Sequence, residues 1–428
     1  MQTLPRTVVV DLTPVLPGGE NGGAKIFALE LLAQLSQLAK QTRFILLTQY
    51  RSHEELAFLD QSNMERRMVI AATAAQSLRP RLVGLALKVL PHLPNRVRRL
   101  VSRLGHRVNS AIKRSRPTLL SELQADLLFC PFTAPLFAQA RVPTVCTIHD
   151  LQYKTHPEFF DLEDVANRDR AFADACKQAT MLAAVSNYSR KTAVLHSHIN
   201  PERICTIYLR LAHRVRQAEE SAAPLLSRLK LTAGRYLIYP ANFWRHKNHE
   251  MLFTAFGMAS VNGLATDIKL VCTGAPGERQ SWLERAVAAM GLAERIVFPG
   301  FIPDHEFRML MGHSNAVIFP SLYEGFGLPV IESMAAGIPV ACSNLTSLPE
   351  VAAGAALLFD PRIPNEIADA MVGISSDAAL RTRLTKAGSE RAAEFTDSRR
   401  MALEYLALFE QAIGHPGKLT DSIQAVTP

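Results

Sequence analysis

Short apolar runs alternate with amphipathic stretches along the first half of the chain. The apolar runs predict strands at 7–12, 44–48, 67–71, 126–130, 144–148, 181–186 and 204–208. Helices are predicted at 24–39 and 162–178, and 219–229 is predicted to be a helix or a linker. This alternation is the pattern of a parallel sheet that is covered by helices on both faces.

The same alternation restarts near residue 230. Strands are predicted at 236–240, 267–273, 295–298, 316–319 and 339–342, and helices at 248–258, 280–290, 304–312 and 329–336. The stretch 365–413 is predicted to be mainly helical. We therefore predict an α/β fold of two Rossmann-like, doubly wound parallel-sheet domains. They face an interdomain cleft, because ligands of such domains bind beyond the carboxyl ends of the strands.

Composition narrows the class of protein. The chain has 428 residues, of which 48% are hydrophobic and 20% charged, as expected for a soluble protein of two domains. Its six cysteines show no metal-ligand spacing, so we expect buried, reduced thiols and a cytoplasmic location. We find no signal-peptide pattern and no apolar run near the roughly 18 residues that span a bilayer.

The net charge of +8 comes from one segment. Residues 79–116 contain eleven Lys or Arg and no acid, which leaves 36 basic against 39 acidic residues elsewhere. Apolar positions at helical spacing over 95–113 predict a basic amphipathic helix, which favours peripheral contact with an anionic inner-membrane face. Two alternatives stay open, a helical hairpin packed on its own domain and a nucleic-acid patch, although the segment lacks aromatic residues for stacking. Membrane contact predicts that neutralising four arginines, Arg96, Arg98, Arg99 and Arg103, weakens binding to anionic liposomes.

The stretch 316–336 combines three signals of a ligand site. A predicted strand leads into the turn 325–327, which has glycine at both ends, and a helix is predicted to follow. Such a turn leaves backbone N–H groups and the positive end of the helix dipole free for an anion. Glu324 and Glu332 flank the turn, and carboxylates accept hydrogen bonds from hydroxyl groups. A hydroxyl-rich ligand beside phosphate indicates a nucleotide sugar; the alternative is an ordinary strand–turn–helix with solvated glutamates.

The pair Glu324 and Glu332, with seven residues between them inside 320–340, resembles the signature of the retaining family 4 glycosyltransferases, which have the GT-B fold. The resemblance is strongest over 230–361. It implies an acceptor-binding domain at 1–215, a nucleotide-sugar domain at 216–400 and a helix at 401–428 that crosses back to the first domain. It also implies that Glu324 contacts the donor sugar and Glu332 the ribose. The remaining donor-binding positions of the turn are Gly325, Phe326, Gly327 and Leu328.

Two further turns carry candidate chemistry. Lys247 follows a predicted strand, where an ammonium group would stabilise a leaving diphosphate. The resemblance assigns that role to Lys247, but His246 stands where the family has arginine, so Arg245 is the candidate replacement. His149 ends another predicted strand, and the family's equivalent histidine contacts the transferred sugar. The alternatives are a basic helix end on the surface and a structural histidine bonded to backbone.

Glycine-rich positions complete the predicted site. Gly22 and Gly23 follow the first strand, where they let the backbone approach a phosphate or sugar, unless the loop is merely flexible. The resemblance places Gly274 beside the donor and Phe301 near the nucleotide base, which is read largely by backbone groups.

We therefore predict a retaining hexosyltransferase that uses a nucleoside-diphosphate sugar and a glycan or lipid-linked acceptor in cell-surface polysaccharide, lipopolysaccharide or glycolipid assembly. The predicted catalytic residues are Lys247, Glu324 and His149. We expect no cofactor, because the nucleotide sugar is a substrate, and no metal, because no Asp-x-Asp motif is evident. We also expect no nucleic-acid partner. The alternatives are a catalytically silent GT-B scaffold and a nucleotide-sugar epimerase or hydrolase.

Overall fold

A computed structural model describes residues 4–18, 21–71, 118–211, 222–300 and 302–414. The first half of the chain forms a parallel sheet of seven strands in the order β3-β2-β1-β4-β5-β6-β7. The strands are β1 (Thr7–Asp11), β2 (Arg43–Gln49), β3 (Met64–Ile70), β4 (Leu127–Cys130), β5 (Thr144–Ile148), β6 (Met181–Ala184) and β7 (Ile204–Thr206). Central strands such as β5 are buried along their whole length, because helices cover both faces of the sheet.

The second half forms a parallel sheet of six strands in the order β10-β9-β8-β11-β12-β13. They are β8 (Tyr236–Pro240), β9 (Lys269–Thr273), β10 (Ile296–Val297), β11 (Ala316–Phe319), β12 (Val340–Ser343) and β13 (Leu357–Phe359). In both sheets the chain moves outward from the first strand and then returns to its other side. The strand order therefore reverses between β1 and β4 and between β8 and β11, where a crevice for ligands opens.

Helices connect the strands and cover the sheets. In the first half they are α1 (Gly22–Leu38), α2 (Leu119–Glu122), α3 (Gln152–Thr155), α4 (Leu162–Gln178) and α5 (Asn187–Leu195). In the second half they are α6 (Ala223–Arg228), α7 (His249–Val261), α8 (Glu278–Ala289), α9 (Asp304–Gly312), α10 (Leu328–Ala335), α11 (Leu348–Ala352), α12 (Pro364–Ser376), α13 (Ala378–Ala393) and α14 (Ser398–Gly414). None within these described ranges has the length and apolar character needed to cross a bilayer.

The last helix returns to the first sheet. Tyr405 of α14 lies 3.0 Å, hydroxyl to hydroxyl, from Thr147 of β5, and Phe409 packs on Phe129 of β4 with ring centroids 5.2 Å apart. Arg210, after β7, forms a buried ion pair with Glu404. Helix α14 thus packs on the first sheet, while the predicted division into 1–215, 216–400 and a crossing helix at 401–428 stays a prediction.

Most predicted elements are present, with ends that differ by up to four residues. The prediction missed strand β13, because it is short and only Phe359 is buried. It also ran strand β6 two residues too far, since Ser186 is the N-cap of α5 and its side chain accepts the N–H of Ser189. The basic segment 79–116 lies within the undescribed stretch 72–117, so its three interpretations stay open.

Candidate functional site

A cavity of about 1060 Å³ separates the two sheets at the carboxyl ends of their strands. Twelve residues of the predicted site line it: Gly22, Gly23, His149, Arg245, Lys247, Gly274, Glu324, Gly325, Phe326, Gly327, Leu328 and Glu332. The thirteenth, Phe301, lies outside the described residues. Residues that are distant in sequence therefore surround one space, and their contacts determine what that space can bind.

Lys247 and Glu324 form the charged centre of the cavity. The Nζ of Lys247 donates to Oε1 of Glu324 at 2.5 Å, and about one tenth of each side chain is exposed. The backbone beneath is fixed, because Tyr239 donates its hydroxyl to the Lys247 carbonyl oxygen. Asn248 adopts a left-handed conformation (φ 63°), and its amide bonds to the carbonyl oxygens of Pro320 and Pro361. The ammonium and carboxylate are thus held in place before any ligand arrives.

The glycine turn lies at the start of helix α10. Gly327 has φ 100°, a conformation that favours glycine, and a Cβ there would lie 2.5 Å from the Cδ2 of Leu348, so that side chain would have to shift. The Ser347 hydroxyl lies within hydrogen-bond distance of the carbonyl oxygens of Glu324 and Phe326. Glu332 lies in the second turn of α10, buried and facing the cavity. The positive end of the helix dipole therefore adjoins the Lys247–Glu324 pair.

Gly325 brings the two domains together. A Cβ on Gly325 would overlap the carbonyl oxygen of His149 in the first domain. The Ser186 hydroxyl donates to the Gly325 carbonyl oxygen at 2.6 Å, and the Ser189 hydroxyl lies 3.1 Å from the same oxygen. Ser186, which caps helix α5, therefore also takes part in a contact between the domains.

His149 is neutral and its tautomer is determined. Its Nε2 lies 2.7 Å from the carbonyl oxygen of Pro131, which can only accept, so Nε2 carries the proton. Burial lowers the pKa of the ring. Phe27 packs its ring edge-on at 5.5 Å. The other ring nitrogen, Nδ1, is left as an acceptor that could receive a bond from a hydroxyl group.

Lys25 organises the glycine-rich loop after β1. Its Nζ donates to the carbonyl oxygens of Leu16 and Gly18 and pairs with Glu55 at 2.6 Å. The side chain of Asn21 accepts the N–H of Leu16 at 2.6 Å. The described part of this loop is thus bound by specific contacts, against the alternative of a merely flexible loop. Lys25 was not among the predicted site residues, although a lysine two positions after four clustered glycines was a usable signal.

The turn before Lys247 differs in charge from the family pattern. Burial, with the nearby charge of Lys247, lowers the pKa of His246 to about 2, so this residue is neutral where the family carries arginine. Arg245 is exposed and lines the cavity. Lys247 and Arg245 are therefore the cations of this turn.

Gly274 allows close packing between two loops of the second domain. A Cβ there would lie 2.8 Å from the Ala241 carbonyl oxygen and 2.9 Å from the Phe243 ring. The N–H of the next residue, Ala275, donates to Asn242. This packing explains the glycine without a ligand.

Several cavity residues were not predicted. They are Asn21, Phe132, Gln152, Phe160, Arg168, Trp244 and Arg279. Gln152 is buried, and its Nε2 has no hydrogen-bond partner in the structure, although such a donor is costly to leave unpaired. These residues come from many separate elements and share no local pattern, so spacing could not reveal them. Over the described ranges, no cluster of three or more His, Cys, Asp or Glu side chains is placed to hold a metal ion.

Comparison with known families gives two matches that divide the chain. Residues 21–209 match the model described as Glycosyltransferase Family 4, and residues 228–391 match the model described as Glycosyl transferases group 1. The second match contains Gly274, Lys247 and both glutamates of the turn. The first contains His149 and the glycine pair.

Two individual proteins resemble the chain over about 59% of its length. The O-antigen chain mannosyltransferase B of Escherichia coli is 28% identical over 253 residues, 59% of this chain and 66% of that protein. The serotype-specific mannosyltransferase WbdA of the same organism is 26% identical over 266 residues, 59% of this chain but 32% of that one. The matches therefore span just under two thirds of the first relative and about one third of the second.

Solved structures resemble the whole described architecture. Anabaena HepE in complex with UDP and glucose has a TM-score of 0.68 at 17% identity, covering 94% of this chain and 98% of that one. WaaG, a glycosyltransferase involved in lipopolysaccharide biosynthesis, has a TM-score of 0.66 at 14% identity, with 94% and 99% covered. At these identities the likeness concerns the fold.

Proposed function

We propose that this chain, which belongs to the group 1 glycosyltransferases of family 4 and has their GT-B fold, is a retaining hexosyltransferase. The predictions of that family and of that fold are confirmed. It moves a sugar from a nucleoside diphosphate to an acceptor hydroxyl in cell-surface polysaccharide or lipopolysaccharide assembly. The carrying observation is the Lys247–Glu324 pair, which lies in the same cavity as neutral His149.

Lys247 and Arg245 stabilise the departing diphosphate in this proposal. Charge develops on the leaving phosphate as its bond to the anomeric carbon breaks, and fixed cations in a cavity stabilise that charge. The N–H groups of Gly325, Phe326 and Gly327, at the positive end of α10, add to this effect. Lys247 is already oriented by Glu324, so little reorganisation is needed.

Glu324 and His149 position the transferred sugar. Glu324 has acceptor capacity beyond its bond to Lys247 and can receive sugar hydroxyls. The Nδ1 of His149 can receive another, because Nε2 is committed to Pro131. Glu332, one turn further along α10, binds the ribose. Since the Glu324 carboxylate is engaged by an ammonium group, it is a poor nucleophile. Retention then follows from front-face attack, in which the acceptor oxygen bonds to the anomeric carbon and its proton passes to the leaving phosphate.

The first donor to test is a mannosyl donor, because O-antigen chain mannosyltransferase B and WbdA are both mannosyltransferases. UDP sugars follow, because HepE is bound to UDP and glucose. The site residues do not indicate which nucleotide base the donor carries.

Calorimetric titration with UDP, GDP, ADP and dTDP tests the donor site. One nucleotide should bind saturably, and Glu332→Ala should weaken it. Lys247→Ala should lower the transfer rate by about 10²- to 10³-fold, as loss of a preorganised electrostatic group does. Lys386→Ala, an exposed change on α13, is the matched control and should be neutral.

The product distinguishes the alternatives. Proton NMR of the new linkage should show the donor's anomeric configuration, and inversion would overturn the retaining assignment. Donor consumption without acceptor would indicate a hydrolase or epimerase. If none of the four nucleotides binds, a catalytically silent scaffold becomes the better explanation.

A further inference from the structure

The chain has two tryptophans, and they lie in different surroundings. Trp282 is 43% exposed on α8, and the guanidinium group of Arg279 covers its ring at 4.5 Å. Trp244 is 47% exposed in the wall of the cavity, three residues before Lys247. A large aromatic side chain left open inside a cavity is typical of a ligand-binding surface.

Trp244 faces the opposite domain at Gly22, a residue without a side chain. Its Cη2 lies 3.6 Å from the position that a Cβ of Gly22 would occupy. Gly22 itself has φ 53°, which favours glycine. On its own domain the indole is neighboured by the His246 ring, with centroids 5.6 Å apart. The indole therefore lies between the Lys247 turn and the glycine-rich loop, where the two walls of the cavity meet.

We infer that Trp244 is the stacking platform for the acceptor sugar, and hence a residue that determines acceptor specificity. One face of a pyranose ring presents C–H groups, which pack on an aromatic face, while its hydroxyls remain free for polar groups. The charged and hydrogen-bonding groups that suit the donor, Lys247 and Glu324, lie at the centre of the site. Trp244 lies beside the glycine-rich loop of the first domain, and its side chain offers an apolar surface rather than a charge.

This inference rests on the proposed function, because it assigns the occupant of one part of the same cavity. A Cβ at Gly22 would lie 3.6 Å from the indole, an ordinary van der Waals distance, so the positive φ rather than the indole accounts for glycine at this position. The inference predicts that the acceptor sugar contacts both domains, through Trp244 on one side and the glycine-rich loop on the other.

Tryptophan fluorescence provides the binding test, because Trp282→Phe leaves Trp244 as the sole tryptophan. This variant is titrated with methyl α-mannopyranoside, methyl α-glucopyranoside and methyl α-galactopyranoside in the presence of the nucleotide that binds. We expect at least one sugar to change the emission saturably, and the reciprocal Trp244→Phe variant to give no change. No response in Trp282→Phe to any of the three sugars would overturn the inference.

Kinetics provide the functional test. Trp244→Ala should raise the acceptor KM by about tenfold or more, equivalent to roughly 1.4 kcal/mol of lost binding, and leave the donor KM within twofold. Trp244→Phe should restore part of the loss, and Trp282→Ala should be neutral. An unchanged acceptor KM, or a donor KM that rises equally, would overturn the stacking role while the transferase function stands. Loss of nucleotide binding and transfer in the unaltered protein would instead refute the proposed function.

Discussion

The two domains meet at two places that differ in kind. At one, which we call the pivot, the turn at Gly325 lies against His149 and the start of helix α5. At the other, which we call the mouth, the Cη2 of Trp244 lies 3.6 Å from the position that a Cβ of Gly22 would occupy. The pivot consists of polar bonds and tight backbone contact, whereas this mouth contact is apolar.

Glu350 completes the pivot. Its Oε1 accepts the N–H of Asn187 and the hydroxyl of Tyr208, each at 2.7 Å, and its Oε2 accepts the N–H of Tyr188 at 3.0 Å. A carboxylate of one domain therefore binds the first two N–H groups of a helix in the other, where the helix dipole favours negative charge. Separation here would break several bonds at once. At the mouth, Trp244 can leave Gly22 without breaking a hydrogen bond to it, so we expect opening to widen the mouth.

Among the changes that distinguish the pivot from the mouth, Gly325→Ala should have the largest effect. The added Cβ would overlap the His149 carbonyl oxygen, so the turn that carries Glu324 must move. A displacement near 1 Å can lower activity by about 10²-fold, and we expect that loss together with a lower melting temperature. Steady-state kinetics and thermal unfolding are the measurements.

Gly23→Ala is the matched control at the mouth. Its Cβ would lie 3.1 Å from the Cδ1 of Leu328, the end of a flexible side chain, which can give way. Its helical position also favours alanine, so the melting temperature should hold or rise slightly. If Gly23→Ala lowered the melting temperature as much as Gly325→Ala does, the distinction between pivot and mouth would be contradicted.

Glu350→Ala should have the next largest effect. It leaves two N–H groups and a tyrosine hydroxyl without their partner, and each such group costs about 1–3 kcal/mol where it stays buried. We expect reduced stability and raised KM values, because the turn at Gly325 loses its support. Glu350→Gln keeps an accepting oxygen and should recover part of both.

Glu394→Ala is the control for this change, since its side chain is 60% exposed and pairs with Arg391 on the surface. If Glu350→Ala were as mild as Glu394→Ala, the pivot would depend on Gly325 and the serines alone. Recovery of stability without recovery of KM would assign Glu350 to folding rather than to positioning.

The smallest effect concerns pH and lies beneath the turn that carries Trp244. His249 is buried between Tyr239 and Phe243, and burial, aided by the charge of Lys247, lowers its pKa to about 3. Below about pH 6.5 His249 is protonated in the unfolded chain but stays neutral in the folded protein. The free energy of unfolding therefore decreases as the pH is lowered. In His249→Phe the melting temperature should therefore fall less between pH 7 and pH 4 than in the unaltered protein. In terms of the free energy of unfolding, the difference between the two slopes is at most about 1.4 kcal/mol per pH unit. His196→Ala, an exposed change, should leave the slope unaltered.

Local pattern predicted the fold and twelve of the residues that line the cavity, because each depends on residues close in sequence. Glu324 and the turn after it form one strand–turn–helix, and Lys247 ends another. The contacts between the two domains that surround these residues could not be predicted from local pattern. Gly325 meets His149 across 176 positions, and Glu350 binds Asn187 across 163. Neither pairing leaves a periodic signal, and the sugar, base and acceptor leave none either.

Helix α14 has a consequence for the order in which the protein is made. Thr147 and Phe129 belong to the first sheet, yet their partners Tyr405 and Phe409 are synthesised more than 250 residues later. The first domain cannot complete its core on the ribosome while the second is still emerging. Its nascent form exposes an apolar strip over β4 and β5 until the far end of the chain arrives, so chaperone contact during synthesis should persist until residue 409 has been added.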